Sequence, residues 1–178
     1  MAYKLGYRSV VVGDDGFLLH LYSSTRAAEL ALTGWDAAAC QAFVQMQFEA
    51  QAAHYQRHWP DAEHSIVQVQ HGAAWSDVGR LWLHQRHNSL HVLDITLLPV
   101  WCGRGIGGAA LRALQDRAAR QRLSLSIQVE QGNPARRLYE RLGFVPVGAQ
   151  QGIHQPMQWQ QDLDKAAFFL SEALSEQT

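Results

Sequence analysis

The sequence predicts a mixed α/β domain built on one sheet, and two observations carry that reading. Three closely spaced strand patterns, at 65–70, 79–84 and 90–97, are separated by short turn signals at His71-Gly72 and Asn88-Ser89. That spacing is the mark of an antiparallel meander. The order then changes to strand, glycine-rich loop, helix, strand, which is a βαβ crossover and sets its two strands parallel. The expected sheet is therefore mostly antiparallel with one parallel pair, flanked by helices.

Taken in order, Asp14-Asp15-Gly16 reads as a turn between strands at 8–13 and 17–22, the first of them no more than an N-terminal extension. Thr25 can cap a short helix running to about Leu32, with Gly34 as its stop, and Asp36 can cap a longer one. In that longer helix Cys40, Val44, Phe48, Ala52, Tyr55 and Trp59 recur every three or four residues, with Gln45, Gln51 and Gln56 off the stripe. Pro60 ends it. Packing against the sheet is the expected use of Tyr55 and Trp59.

Among the strands, Leu81 and Leu83 alternate with Arg80, Trp82 and His84. Leu90, Val92 and Asp94 are expected to face opposite to His91, Leu93 and Ile95, and a slip of one residue would move Asp94 across. Ile106, Ala110, Leu114 and Ala118 mark the crossover helix, with Arg112, Arg117, Arg120 and Arg122 toward its outer side. Leu123, Leu125, Ile127 and Val129 alternate as the next strand. A helix at 134–142 and strands at 144–147 and 157–159 follow. No repeat or linker divides the chain, so one domain over 1–178 is expected, with a core at about 17–159. From Asp162 onward Leu163, Ala167, Leu170 and Leu174 suggest an amphipathic tail.

Composition narrows the function classes. Hydrophobic residues make up 47% and charged residues 17% of 178, a globular balance. With 15 Lys and Arg against 16 Asp and Glu, the formal net charge of -1 provides no global field for nucleic acid. Cys40 and Cys102 are the only cysteines and form no C-x-x-C pair, which argues against a disulfide framework or a cysteine zinc site. Nine histidines are scattered; His54 and His58 share a helical face but lack the intervening Glu of a zincin, so no metal is expected. Met1–Tyr7 is short and polar, and no apolar run approaches a membrane span, so the default expectation is cytoplasmic with no membrane partner.

The segment Gly103-Arg104-Gly105-Ile106-Gly107-Gly108 carries the first chemical signal. Glycines permit tight turns and close ligand approach, and their N–H groups, with the positive end of the following helix, receive a phosphate. Gly103, Gly105 and Gly108 also fit the dinucleotide fingerprint, but a meander precedes the loop and no second mononucleotide half follows. A Walker loop fails because no Gly-Lys-Ser/Thr is present.

The second signal is the stretch from Asn133-Pro134 through Tyr139 to Gly143-Phe144, a capped helix that follows the end of a strand parallel to the one that feeds the glycine loop. Asn133 suits an N-cap, Pro134 the first helical turn, and Gly143 a left-handed C-terminal cap with Phe144 folded back. Capping alone explains those residues; it does not explain their placement.

With both motifs in this order, residues 17–159 resemble the GNAT superfamily of acyl-CoA-dependent N-acyltransferases. The resemblance implies a GNAT-like fold with a splayed parallel strand pair, and acetyl-CoA as the acyl-donor cosubstrate. The family's first motif maps onto Cys102-Gly103-Arg104-Gly105-Ile106-Gly107, with Gly108 following; it departs at Cys102, where relatives usually carry Arg or Gln. Its second motif maps onto residues 133–144, which gives Asn133, Ala135 and Arg136 a place at the cofactor and sets Tyr139 near the CoA sulfur. The strand ending Leu97-Leu98-Pro99 resembles the one that aligns the cofactor arm, where the amide of Leu97 or Leu98 would polarise the thioester carbonyl.

Direct attack of an amine on a thioester needs an oxyanion donor, a base and a proton for the thiolate. A phenol with an ordinary pKa near 10 can donate to a thiolate, and Tyr139 is the expected acid. Asp94 and Glu130 are the candidate bases, each reaching the split through water, with His54 or Tyr55 as lesser candidates. The resemblance leaves the acceptor open among small-molecule, peptide and protein amines. The candidate acceptor walls, 23–35 and 148–156, show no acidic cage for a polycation. An aminoacyl-tRNA acceptor is disfavoured by the charge balance, and a homodimer is compatible. The different-class alternative is a non-catalytic acyl-CoA-binding regulatory module, which the presence of Asn133 and Tyr139 argues against.

Overall fold

A computed structural model describes residues 3–150 and 152–161. The expected amphipathic tail beyond Asp162 lies outside the described residues. The elements run β1 (Lys4–Ser9), α1 (Asp15–Leu30), α2 (Ala37–His58), β2 (Glu63–His71), β3 (Ala74–Arg86), β4 (Ser89–Leu97), a 3-10 turn (Pro99–Trp101), α3 (Ile106–Gln121), β5 (Ser124–Glu130), α4 (Arg136–Arg141), β6 (Val145–Pro146) and β7 (His154–Trp159).

The strands form one seven-stranded sheet in the order β1-β2-β3-β4-β5-β7-β6. Every neighbouring pair is antiparallel except β4 and β5, which are parallel across the α3 crossover. The fold is the mixed α/β, mostly antiparallel arrangement that the sequence predicts.

The start of the chain differs from expectation. Residues 17–22 are helical rather than extended, and the strand ends at Ser9, where 8–13 was expected. Leu18, Leu21 and Tyr22 are the buried residues of α1, a three-and-four spacing that a helix satisfies and a strand does not. Asp14 is the hinge: its carboxylate accepts from Arg8 on both oxygens at 2.8 Å and from the Val11 amide at 2.8 Å. Thr25 sits inside α1, its hydroxyl donating back to the Tyr22 carbonyl at 2.7 Å, and caps nothing. Nor is β1 an extension, since it pairs with β2 over its whole length.

The α2 boundaries follow the expected signals. Asp36 accepts from the Ala39 amide at 2.8 Å, and the helix ends at His58, ahead of Trp59 and Pro60. Its stripe meets both α1 and the sheet: Phe48 lies 5.9 Å from the Tyr22 ring of α1, and Tyr55 5.0 Å from the Trp82 ring of β3.

Two helical layers cover the sheet. On one face Leu111, Leu114 and Ala118 of α3, with Tyr139 and Phe144, close the main core over Leu81, Leu83, Val92 and Ile127. On the other face Arg80 and Trp82 are covered; the alternate residues of β3 point to opposite faces of the sheet, and both sets are buried. At the far end Gly143 takes φ +82° and the Phe144 amide donates to the Tyr139 carbonyl at 3.0 Å, the expected left-handed cap.

Candidate active site

The pairing of β4 with β5 covers only Ser89–Val92 against Ser124–Ile127. Beyond that point β4 stays with β3 as far as Gly79↔Leu97, while β5 stays with β7 as far as Glu130↔His154. The two parallel strands therefore part after Val92 and Ile127. A cleft of about 760 Å³ lies against this split, reached by Leu93, Asp94 and Leu97 from β4, Gln128 and Glu130 from β5, and Tyr139 from α4.

A bulge decides what β4 presents there. Trp82 pairs with Asp94 and Leu83 with Val92, so Leu93 is an extra residue. The alternation inverts across it. Ile95, opposite Leu81, packs on the main core, while Asp94 joins Arg80 and Trp82 on the α1–α2 face. Asp94 therefore does not share a face with Leu90 and Val92 as expected.

The same ladder orients the backbone. The Leu98 amide donates to the Val78 carbonyl at 2.8 Å, so it is committed to the sheet. Of the two amides expected to be available, Leu98 is ruled out. Alternate residues of an antiparallel pair turn their N–H groups to opposite sides, so Ile95 and Leu97 turn theirs toward β5 and the split.

Asp94 is held from two sides. Arg80 Nε donates to its Oδ2 at 2.6 Å, and the Thr96 hydroxyl lies 3.0 Å from Oδ1. Arg80 is 5% exposed and also donates to Gln51 Oε1 at 2.6 Å, which ties β3, β4 and α2 together. A carboxylate so engaged supplies fixed negative charge to the cleft. Burial, aided by that charge, pushes the Tyr139 phenol up to about 12, so it keeps its hydrogen throughout the neutral range. Glu130 lies at the open end, more than half exposed, with His154 Nε2 3.5 Å from its Oε1.

The glycine loop adjoins this split without lining the cleft. Gly105 takes φ +82° immediately before α3, a conformation that L side chains rarely adopt, and a Cβ there would meet open space. The first turn of α3 fits between the two motifs: a Cβ on Gly107 would lie 3.7 Å from Leu138 and 3.8 Å from Leu97. Arg104 lies over the Trp101 ring at 5.1 Å, and Cys102 Sγ is 3.6 Å from the Leu98 carbonyl. Asn133 Oδ1 accepts from the Ala135 amide at 2.9 Å, so it caps a turn ahead of α4, while Arg136 pairs with Glu140 at 2.9 Å.

A split parallel pair beside a glycine-rich helix N-terminus can hold a long phosphorylated arm, with the phosphates on the loop and the arm along β4. The acetyltransferase (GNAT) family model matches residues 32–144. The chain belongs to the GNAT family. Solved structures share the fold at low identity. The PaiA N-acetyltransferase of Thermoplasma acidophilum, in complex with coenzyme A, is 13% identical with TM-score 0.62, covering 88% of this chain and 99% of its own. A spermidine N-acetyltransferase of Vibrio cholerae, in complex with CoA and spermine, is 19% identical with TM-score 0.58, covering 86% and 92%. A ribosomal-protein alanine N-acetyltransferase of Escherichia coli is 15% identical with TM-score 0.57, covering 87% and 91%. No curated protein sequence matches the chain. Among the described residues no helix is long and apolar enough to cross a membrane.

Within this GNAT chain the cleft gathers Asp94, Leu97, Glu130, Asn133, Ala135 and Tyr139 from the expected residues. Leu98, Arg136 and the loop from Cys102 to Gly108 do not line it. Arg26 and Glu29 of α1 and His154 of β7 line the cleft from the two expected acceptor walls, 23–35 and 148–156. Sequence reasoning missed Tyr22, which fell in the segment read as a strand, and passed over His91, which looked like one more scattered histidine. The available signal was β3 itself, where Arg80, Trp82 and His84 alternate with leucines beside a strand carrying His91 and Asp94.

Proposed function

We propose that this protein transfers an acetyl group from acetyl-CoA to a primary amine by direct attack on the thioester. The observation that carries the reading is the β4–β5 split, which runs from the glycine loop to Tyr139. In this reading the amides of the Gly103–Gly108 loop and the N-terminus of α3 receive the pyrophosphate, flanked by Cys102, Arg104 and Ile106. Asn133, Ala135 and Arg136 border the arm at the start of α4. The thioester carbonyl accepts from the β4 amides that face the split, Leu97 or Ile95, which meet the developing oxyanion without reorganising.

Tyr139 serves the departing sulfur. A phenol at about 12 does not hand its proton outright to a thiolate whose conjugate acid lies near 8.5. It donates a hydrogen bond, which lowers the cost of sulfur charge as the bond breaks. Asp94, fixed by Arg80 and Thr96, shapes and charges the acceptor side. Glu130, at the open rim, meets the incoming ammonium.

Acetyl-CoA with a labelled acetyl group, incubated with a panel of small amines, amino acids and peptides, tests this reading by mass spectrometry. Labelled N-acetyl product from at least one amine class is the expected result. Tight CoA binding with no product from any of them would instead make the protein a CoA-binding regulatory module.

A further inference from the structure

The split places one titratable group at its closed end that no step above has used. His91 lies one residue before Val92, where β4 and β5 cease to pair, and its ring lines the cleft. Its register partner on β5 is Ser126, and His91 Nδ1 lies 2.6 Å from the Ser126 hydroxyl. That hydroxyl has two other neighbours for its hydrogen, Ser89 Oγ at 3.1 Å and the Leu90 carbonyl at 3.5 Å. Ser126 can therefore accept from His91 Nδ1–H, and in that tautomer the Nε2 lone pair is free.

We infer that His91 is the proton acceptor for the attacking amine, with Ser126 as the residue that positions it. This rests on the acyl-transfer reading above. The two carboxylates first considered for the role are less suited to it. Asp94 already accepts from Arg80 and Thr96, and Glu130 stands at the wet rim beside His154. His91 is four residues from Ile95 along β4, and the Leu93 bulge removes one residue of rise. The separation along the strand is thus about 10 Å, which an imidazole, one bridging water and the amine nitrogen span.

The step balances as follows. Leaving water for the cleft disfavours the ammonium and brings its acidity toward that of the imidazole. It then gives one proton through the water to His91 Nε2, leaving a neutral amine and an imidazolium that returns its proton to solvent. The nitrogen lone pair forms the C–N bond to the thioester carbonyl carbon. The C–S bond then breaks with its electron pair on sulfur. Sulfur takes up the proton that the nitrogen sheds on becoming an amide, while Tyr139 holds it by a hydrogen bond. The products are the N-acetyl amine and the CoA thiol.

Burial and the neighbouring His84 hold His91 below its ordinary value, so it stands unprotonated at neutral pH. His84 on β3 is its register partner, and the titratable groups that line the cleft with it are Tyr22 on α1, His54 and Tyr55 on α2, Asp94 on its own strand, Glu130 on β5, Tyr139 on α4 and His154 on β7. The charges of Arg80 on β3 and of Arg26 and Glu29 on α1 are engaged in ion pairs.

The test is the pH profile of kcat/KM for the parent, His91→Gln and Ser126→Ala with acetyl-CoA. For an ordinary alkylamine, His91→Gln should lower kcat/KM by about 10²-fold at neutral pH, within the range of general base catalysis, with CoA affinity unchanged. With an alkoxyamine, already unprotonated at neutral pH, the loss should shrink to a few-fold. Ser126→Ala should shift the acid limb while retaining most turnover. Parent-like activity in His91→Gln, or an equal loss with both amines, overturns the assignment and leaves acyl transfer standing. A parent protein that binds CoA and turns over no amine overturns both. Should His91→Gln fail to fold, an unmoved acid limb in Ser126→Ala decides against the proposal.

Discussion

Arg80 Nε lies 2.6 Å from Asp94 Oδ2, and the guanidinium that makes this bond is almost entirely removed from solvent. Removing one partner of such a pair strands the other charge away from water. Arg80→Met should therefore destabilise the fold by about 3 kcal/mol, measured by urea unfolding. Asp94→Asn, which keeps the shape and can still accept from Thr96, should cost less. If Asp94 acts by position and charge, the acid limb of the pH profile should stay in place in Asp94→Asn; a vanished limb would restore Asp94 as the base.

Tyr139→Phe removes the hydroxyl while retaining a ring that packs 5.9 Å from Phe144. Turnover should fall by about 10²-fold, the usual cost of one transition-state donor, with acyl-CoA affinity little changed. The loss should shrink with a donor whose thiol is more acidic. Parent-rate turnover, with chemistry limiting, would remove Tyr139 from the mechanism.

The loop is tested from two sides. Gly105 needs φ +82° and faces open space, so Gly105→Trp should cost about 1–2 kcal/mol in backbone strain and block the phosphate seat. Calorimetry should show acyl-CoA affinity reduced at least tenfold in a folded variant. Cys102→Arg places charge at an exposed position and should preserve or strengthen CoA binding. A tenfold loss there would show that Cys102 contributes packing through its contacts with the Leu97 and Leu98 carbonyls.

His64 predicts an acid-sensitive fold. Its ring stacks on Trp82 at 3.9 Å, its Nε2 is buried without a partner among the described residues, and burial lowers it to about 4. Between the ordinary 6.5 and about 4 the unfolded chain binds a proton there and the folded chain does not. Stability should therefore fall as pH drops through that window. His64→Gln should flatten this part of the profile in denaturation midpoints measured from pH 7 to 4; an unchanged slope would assign it to other groups.

The legible parts of this fold are those whose signals are local. Asp36 at the start of α2, the glycines before α3 and Gly143 after α4 each satisfy or terminate a helix by their own chemistry, and each is found where the sequence puts it. The illegible parts depend on partners far along the chain. Asp14-Asp15-Gly16 suits a turn or a helix start equally, and only the burial of Leu18, Leu21 and Tyr22 beneath α2 decides. The Leu93 bulge carries no Gly or Pro to mark it, yet it sets the face of Asp94. For the same reason the engagement of Asp94 by Arg80, and of the Leu98 amide by Val78, could not be read from spacing. His91 was missed because a strand histidine looks solvated until the helices that cover its face are known.

A crystal structure of the complex with CoA tests the account most directly. The account predicts the pantetheine arm in the β4–β5 split, the pyrophosphate on the Gly103–Gly108 amides, and the sulfur within about 3.5 Å of the Tyr139 hydroxyl. CoA bound outside the split, or a sulfur directed away from Tyr139, would contradict it.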